Sequence, residues 1–240
     1  MAVNLPKALL VDLDDTILLY DAVAPEAWKQ VCDKFAPRVP GLPAERLRAA
    51  IAEASDWYWS DPERNRSGRI NLPATRREIV SIAFESLDVS VSELVGELAE
   101  AYDEARTKLI APSRGAIDTL RHLRGNGVKL ALVTNGASQP QRAKIQRFNL
   151  APLFDSILVE GEFGAGKPDP RVYLHSLEQI DAKPFEAWMV GDNLEFDVEA
   201  PQKLGIKGIW VDWQAEGLPV TSAVKPDRIV NRISELVNGI

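Results

Sequence analysis

Ala8-Leu9-Leu10-Val11-Asp12-Leu13-Asp14-Asp15-Thr16-Ile17-Leu18 is the stretch from which the rest of the chain can be read. An apolar run ends abruptly in three carboxylates. Such a run, without polar alternation, suits a strand buried on both faces at the centre of a parallel sheet. In open α/β sheets, ligands gather outside the carboxyl ends of the strands. Side chains at i and i+2 of extended chain project to one side, so Asp12 and Asp14 repel unless a cation or a shared proton relieves them. Asp-rich segments also form solvated turns and helix caps. Alone, this stretch leaves both readings open.

Working outward, Pro25 suits a first helical turn, and Trp28, Val31, Cys32 and Phe35 then recur at helical spacing. Pro37, Pro40, Gly41 and Pro43 break the pattern, and Glu45 to Trp57 reads as a second helix. Thr75-Arg76-Arg77-Glu78 and Ser90-Val91-Ser92-Glu93 have capping-box spacing, each before a further apolar helical stripe. From Asp21 to Ala111 the pattern is helical. After Pro112, short apolar runs alternate with helical segments: Val128 to Val133, Ile157 to Val159, Trp188 to Val190, Ile209 to Val211 and, weakly, Ile229-Val230. That alternation predicts βα units and an α/β fold with a Rossmann-like parallel sheet core. The expected organisation is a core of residues 1–20 and 112–240, interrupted by a helical insert of residues 21–111.

The polar chemistry falls where the strands end. Beyond the first come Asp12, Asp14 and Thr16, and beyond the second Thr134-Asn135-Gly136. A loop after the third carries Gly166-Lys167-Pro168, and the fourth ends in Gly191-Asp192-Asn193, with Asp197 following. A parallel sheet brings all these ends to one edge. Clustered carboxylate oxygens suit Mg²⁺, which commonly shares its sites with phosphate. In isolation Thr134 reads as a strand residue or cap and Lys167 as a solvated loop lysine; their joint placement is what lifts them.

These four segments resemble the motifs of the haloacid dehalogenase superfamily, in its phosphatase branch with a helical, C1-type cap. Asp12-x-Asp14-x-Thr16, Thr134, Lys167 and Gly191-Asp192 to Asp197 stand in the family's order, and the helical insert lies where the family carries its cap. Val133-Thr134-Asn135-Gly136 and Gly166-Lys167-Pro168 are similar to the small-metabolite phosphatases, N-acylneuraminate 9-phosphatases among them. The resemblance implies a Mg²⁺-dependent phosphatase acting through an aspartyl phosphate. Asp12 is then the nucleophile and Asp14 the acid and base. Asp12, the main-chain carbonyl of Asp14, and Asp192 hold the metal, with Asp197 behind them. Thr134, the Asn135 N–H and Lys167 bind phosphate, and Asp15 is structural. A hydrolytic dehalogenase of the same fold is the first alternative, though it needs no second aspartate. A phosphomutase or phosphotransferase is the second. One departure stands out: Pro201 follows Asp197 closely, and a proline there removes a helix hydrogen bond and bends or delays the helix.

Gly161 to Lys167 also fits the first seven positions of a P-loop, but Pro168 stands where a hydroxyl must ligate Mg²⁺. From Trp57 to Glu78 there are five arginines against three acids, next to Trp57, Tyr58 and Trp59. Trp57, Trp59, Arg64, Arg66 and Arg69 are therefore candidates for substrate selection, against a reading as core aromatics and a solvated face. His122 and His175 lack metal-ligand spacing. A net charge of −7 argues against broad nucleic-acid binding. Cys32 has no disulfide partner and falls on an apolar stripe. With no signal-peptide pattern and no membrane-spanning run, the expectation is a cytoplasmic protein acting on a small phosphorylated metabolite, away from nucleic acid and membrane, as a monomer or homodimer.

Overall fold

Ala8–Val11 forms β1, and all four of its side chains are shielded from solvent, so the apolar run is covered on both faces. The structure is a computed structural model, and it describes residues 5–89 and 92–237. The chain divides into two compact units, residues 20–110 and residues 1–19 with 111–240.

Along the chain, β1 is followed by β2 (Leu18–Leu19) and then by the helical unit. That unit contains α1 (Ala24–Phe35), α2 (Ala44–Ser60), α3 (Pro62–Gly68), α4 (Leu72–Ser86) and α5 (Ser92–Leu109). Its core joins Val31, Cys32 and Phe35 of α1 to Leu47 and Ile51 of α2, Ile79 and Phe84 of α4, and Leu98 and Tyr102 of α5. Cys32 is a packing residue, and burial pushes its thiol up to about 11.

One local expectation needs correction, and one short helix is new. The capping box at Thr75 is not used, because α4 begins at Leu72 with Pro73 in its first turn, the position a proline favours. Thr75 lies inside the helix, and its hydroxyl donates to the Gly68 carbonyl at 3.2 Å. The short α3 was not anticipated, although Asp61-Pro62 signals it: the Asp61 carboxylate accepts the N–H groups of Glu63 and Arg64. The box expected at Ser90 to Glu93 lies partly outside the described residues.

The second unit resumes with β3 (Ala111–Pro112), which pairs antiparallel with β2. It continues through α6 (Ala116–Gly125), β4 (Lys129–Thr134), α7 (Ser138–Arg147), β5 (Ser156–Val159), α8 (Glu160–Phe163) and α9 (Pro170–Gln179). It ends with β6 (Ala187–Gly191), α10 (Ala200–Lys203), β7 (Lys207–Val211) and β8 (Arg228–Val230). The main sheet has the order β5-β4-β1-β6-β7-β8, with every neighbouring pair parallel. From β1 the chain builds outward through β4 and β5, then returns to add β6, β7 and β8 on the other side. β1 therefore sits where the order reverses, the place where open α/β sheets bind ligands. One face packs Leu10, Ala131, Val133 and Met189 against Val172, Tyr173 and Leu177 of α9. Among the described residues, no helix is long and apolar enough to cross a membrane.

Leu10 is fully buried in the central strand, so Leu10→Ala should cost about 2–5 kcal/mol by lost transfer energy and a residual cavity. Urea unfolding of the variant checks this; a loss below ~1 kcal/mol contradicts the central packing assigned to β1.

Candidate active site

The sheet register brings the strand ends level. Val11 lies opposite Leu132 of β4 and Val190 of β6, so Asp12, Thr134 and Gly191-Asp192 share one edge. The Asp12 N–H still donates to the Val190 carbonyl at 3.0 Å, extending the ladder by one step and fixing the residue's direction. The chain then turns sharply. Asp15 adopts the left-handed conformation (φ 55°), and its N–H donates to Leu18 O at 2.6 Å. Asp tolerates that conformation better than most residues. Asp15, expected to be structural, is buried, and its charge also bears on Asp192.

Lys167 is the hub. Its ammonium, 3% exposed, donates to Asp12 Oδ1 at 2.7 Å and to Asp197 Oδ1 at 2.6 Å. Asn135 holds the lysine backbone from both sides: Nδ2 donates to Lys167 O at 2.8 Å, and Oδ1 accepts Lys167 N–H at 2.7 Å. The Gly136 N–H donates to Glu160 at 2.7 Å, tying the β4 and β5 ends together. The P-loop-like run thus forms α8 and a left-handed turn at Gly164, then feeds Lys167 into a carboxylate pair.

Asp197 reaches Lys167 because Gly191 has no side chain. A Cβ there would lie 2.2 Å from the Asp197 carboxyl carbon. Asp197 Oδ2 accepts the Asn193 N–H at 3.1 Å, and Asn193 in turn accepts the N–H groups of Glu195 and Phe196. Residues Leu194–Glu199 wind as a π-helical turn, and α10 starts only at Ala200 with Pro201 in its first turn, so the helix is delayed as Pro201 predicts. The Tyr173 hydroxyl donates to the Phe196 carbonyl, tying this turn to α9. Trp210 Nε1 donates to Asp192 O at 2.7 Å, fixing the loop that carries Asp192.

Asp14 is held apart from this pair. Lys144 Nζ lies 2.6 Å from both Asp14 carboxylate oxygens, and Gln141 Nε2 lies 3.1 Å from Oδ2. Gln141 also reaches Thr134 Oγ1 at 2.6 Å and Asn135 O at 2.7 Å. Gln141, Lys144, Glu160 and Tyr173 were missed in the sequence. α7 is polar nearly all round, so no buried face announces the first two.

The electrostatics call for a cation. Asp12, Asp192 and Asp197 each offer an oxygen, all within 4.8 Å of one another. Burial pushes the Asp12 carboxyl up to about 7; Lys167 opposes the shift, and Asp197 and Asp14 add to it. Burial first, then the Asp12 charge, holds Asp192 well above the usual carboxylate range. Burial alone would lower the Lys167 ammonium, but the Asp12 and Asp197 carboxylates outweigh it and raise it. One ammonium does not balance this group, and an all-oxygen donor set suits a hard divalent cation such as Mg²⁺. Asp197 already spends its oxygens on Lys167 and Asn193, which favours Asp12 and Asp192 as the direct ligands.

In the helical unit, most of the candidate selectors have internal partners. Arg64 donates to the carbonyls of Trp57 and Tyr58 and lies 3.8 Å over the Trp57 ring. Arg69 reaches Asn65, and Trp59 packs against the core. Arg66 and Trp57 are exposed. Outside that candidate set, Arg76 pairs with Asp103, and Arg106 pairs with Asp21 and stacks on Tyr20.

Gly191→Ala should destabilise the protein by about 1–3 kcal/mol, because Asp197 must move to make room. Gly125→Ala, with nothing within 4 Å of the new methyl, should instead raise stability by about 0.4–1 kcal/mol. Denaturant midpoints of the two variants check the pair; equal effects contradict the close approach at Gly191.

The family model for haloacid dehalogenase-like hydrolases matches residues 6–205. Over 252 aligned residues the chain is 32% identical to the phosphoserine phosphatase of Thermus thermophilus, covering 96% of this chain and 97% of that one. Over 110 residues it is 36% identical to the N-acylneuraminate-9-phosphatase of Rattus norvegicus, covering 45% and 44% of the two chains. The fold is similar to that of the magnesium-bound HAD-hydrolase YfnB from Bacillus subtilis, with a TM-score of 0.75, 22% identity, and coverage of 98% and 100%. With its motif carboxylates, Thr134 and Lys167 gathered at one sheet edge, this chain belongs to the haloacid dehalogenase-like hydrolases.

Proposed function

We propose that this enzyme is a phosphatase that hydrolyses a small phosphomonoester metabolite, with Asp12 as nucleophile and Mg²⁺ as cofactor. The observation that carries this reading is the separation of two neighbouring carboxylates into different surroundings. Asp12 lies against the buried Lys167 ammonium, whereas Asp14 is held by Lys144 and Gln141. The ammonium beside Asp12, joined by a cation when one is bound, favours the ionised carboxylate that attacks, and Asp14 is left to handle the proton.

Asp12 attacks phosphorus, and the P–O bond to the leaving alkoxide breaks while Asp14 gives that oxygen its proton. Asp14 then takes a proton from the water that attacks the aspartyl phosphate, which releases inorganic phosphate and restores both carboxyl groups. Thr134, the Asn135 N–H and Lys167 bind the phosphate oxygens and the charge that builds on them during transfer. In this reading, Mg²⁺ is held by the carboxylates of Asp12 and Asp192 and the main-chain carbonyl of Asp14, with Asp197 behind them. When bound, it neutralises phosphate and Asp12 so that one anion can approach the other.

The helical unit selects the substrate in this reading, with Trp57 and Arg66 offering exposed aromatic and cationic surface. Arg64, Arg69 and Trp59 support that surface from within the unit. Relatives named for phosphoserine and N-acylneuraminate 9-phosphate support a small phosphorylated metabolite as the substrate class. A dehalogenase needs no second carboxylate, so two buried side chains spent on Asp14 favour phosphoryl transfer. A mutase or phosphotransferase would use the same residues and reveal itself by a phosphorylated acceptor in place of free phosphate.

A panel of phosphomonoesters, assayed with Mg²⁺ and with chelator, tests the proposal. Phosphate release should require Mg²⁺ and fall by roughly 10³-fold or more in Asp12→Asn. Mg²⁺ should also raise the Tm of the wild type but not of Asp192→Asn. Metal-independent turnover, or full activity in Asp12→Asn, overturns the reading.

A further inference from the structure

The geometry points to Lys144 and Gln141 as positioning residues for Asp14, aiming its carboxylate at the leaving-group oxygen; this inference rests on the phosphatase reading above. Both lie on α7, three residues apart and so on one face of the helix. Both are buried, although lysine and glutamine are usually exposed. Lys144 contacts both Asp14 oxygens at 2.6 Å. Gln141 bridges Asp14 to Thr134 and Asn135, so the acid and the phosphate-binding strand end share one amide.

Burying two long polar side chains costs desolvation and rotamer entropy, and Asp14 is itself only partly buried. A plain surface ion pair would not require that expense. What the arrangement achieves is a fixed direction for a carboxylate on a turn, where the backbone alone leaves the side chain free to rotate. A carboxyl oxygen has lone-pair capacity for the clamp as well as for the proton it transfers. α7 begins directly after the loop that carries Asn135 and Gly136, so the clamp is referenced to the phosphate site. Displacing a proton donor by about 1 Å can cost ~10²-fold in rate.

The dependence on leaving group tests this. Lys144→Met, Lys144→Arg and Gln141→Leu are assayed as full-length protein with Mg²⁺ on p-nitrophenyl phosphate and on ethyl phosphate, reading kcat/KM. Nitrophenolate leaves without a proton, whereas ethoxide needs one. Because kcat/KM covers only the steps up to phosphoryl transfer, the later role of Asp14 toward water does not enter. Lys144→Met should lose ~10²-fold on ethyl phosphate and no more than about threefold on p-nitrophenyl phosphate. Gln141→Leu should lose less with the same bias, and Lys144→Arg should recover part of the ethyl phosphate rate. Equal losses on both esters in the folded variants, or none, overturn the positioning role. Asp12→Asn is run beside them. If it is inactive on both esters while the Lys144 and Gln141 variants show no bias, the phosphatase reading stands and this inference alone fails. If the wild type releases phosphate from neither ester nor from any member of the phosphomonoester panel, both fail.

Discussion

The structure depends on one buried ammonium. Lys167 lies between Asp12 and Asp197, and Asp192 is close by, so three carboxylates crowd one side of a sheet edge around a single positive charge. Removing carboxylates from water is costly unless they are paired and hydrogen-bonded. Much of the neighbourhood follows from that constraint. Asn135 fixes the Lys167 backbone through both ends of its amide, Gly191 gives up its side chain to admit Asp197, and Asn193 caps the turn that carries Asp197. The negative charge left over suits the group to a divalent cation, and in the proposed reading that cation is what would let a phosphate anion approach.

Most of the fold was legible because it is written in period and punctuation. Fully apolar runs such as Leu9-Leu10-Val11 suit strands buried on both faces, and their alternation with helical stripes points to a parallel sheet. The meeting of Asp12, Asp192, Asp197 and Lys167 was legible for the same reason: parallel strand ends share an edge, so residues distant in sequence converge once the strands are recognised. The errors were local. Thr75-x-x-Glu78 has the spacing of a cap, but Pro73 claims the first turn and carries the helix start upstream. Asp61-Pro62 did announce α3, a signal that the neighbouring aromatic run obscured.

What the sequence did not reveal were the supporting contacts. Gln141 and Lys144 sit in a helix that is polar nearly all round, and only the packed fold shows which face turns inward. Tyr173 reads as one more apolar position of α9, yet its hydroxyl holds the Phe196 carbonyl beside Asp197. Pro201 was legible as a disturbance, and the π-helical turn before α10 is the form it takes. Arg64, which reads as a free cation, is occupied by the carbonyls of Trp57 and Tyr58. Composition cannot tell an arginine that closes a helix end from one that meets a ligand.

The central claim is that Asp12 bonds covalently to phosphorus. Acid-quenching the enzyme during turnover of a phosphomonoester with Mg²⁺, followed by peptide mass spectrometry, measures this directly. The account predicts the added mass of one phosphoryl group on the peptide containing Asp12, lost on treatment with hydroxylamine and absent from Asp12→Asn. Product formation with that peptide unmodified, or a phosphoryl group on another residue, would contradict it.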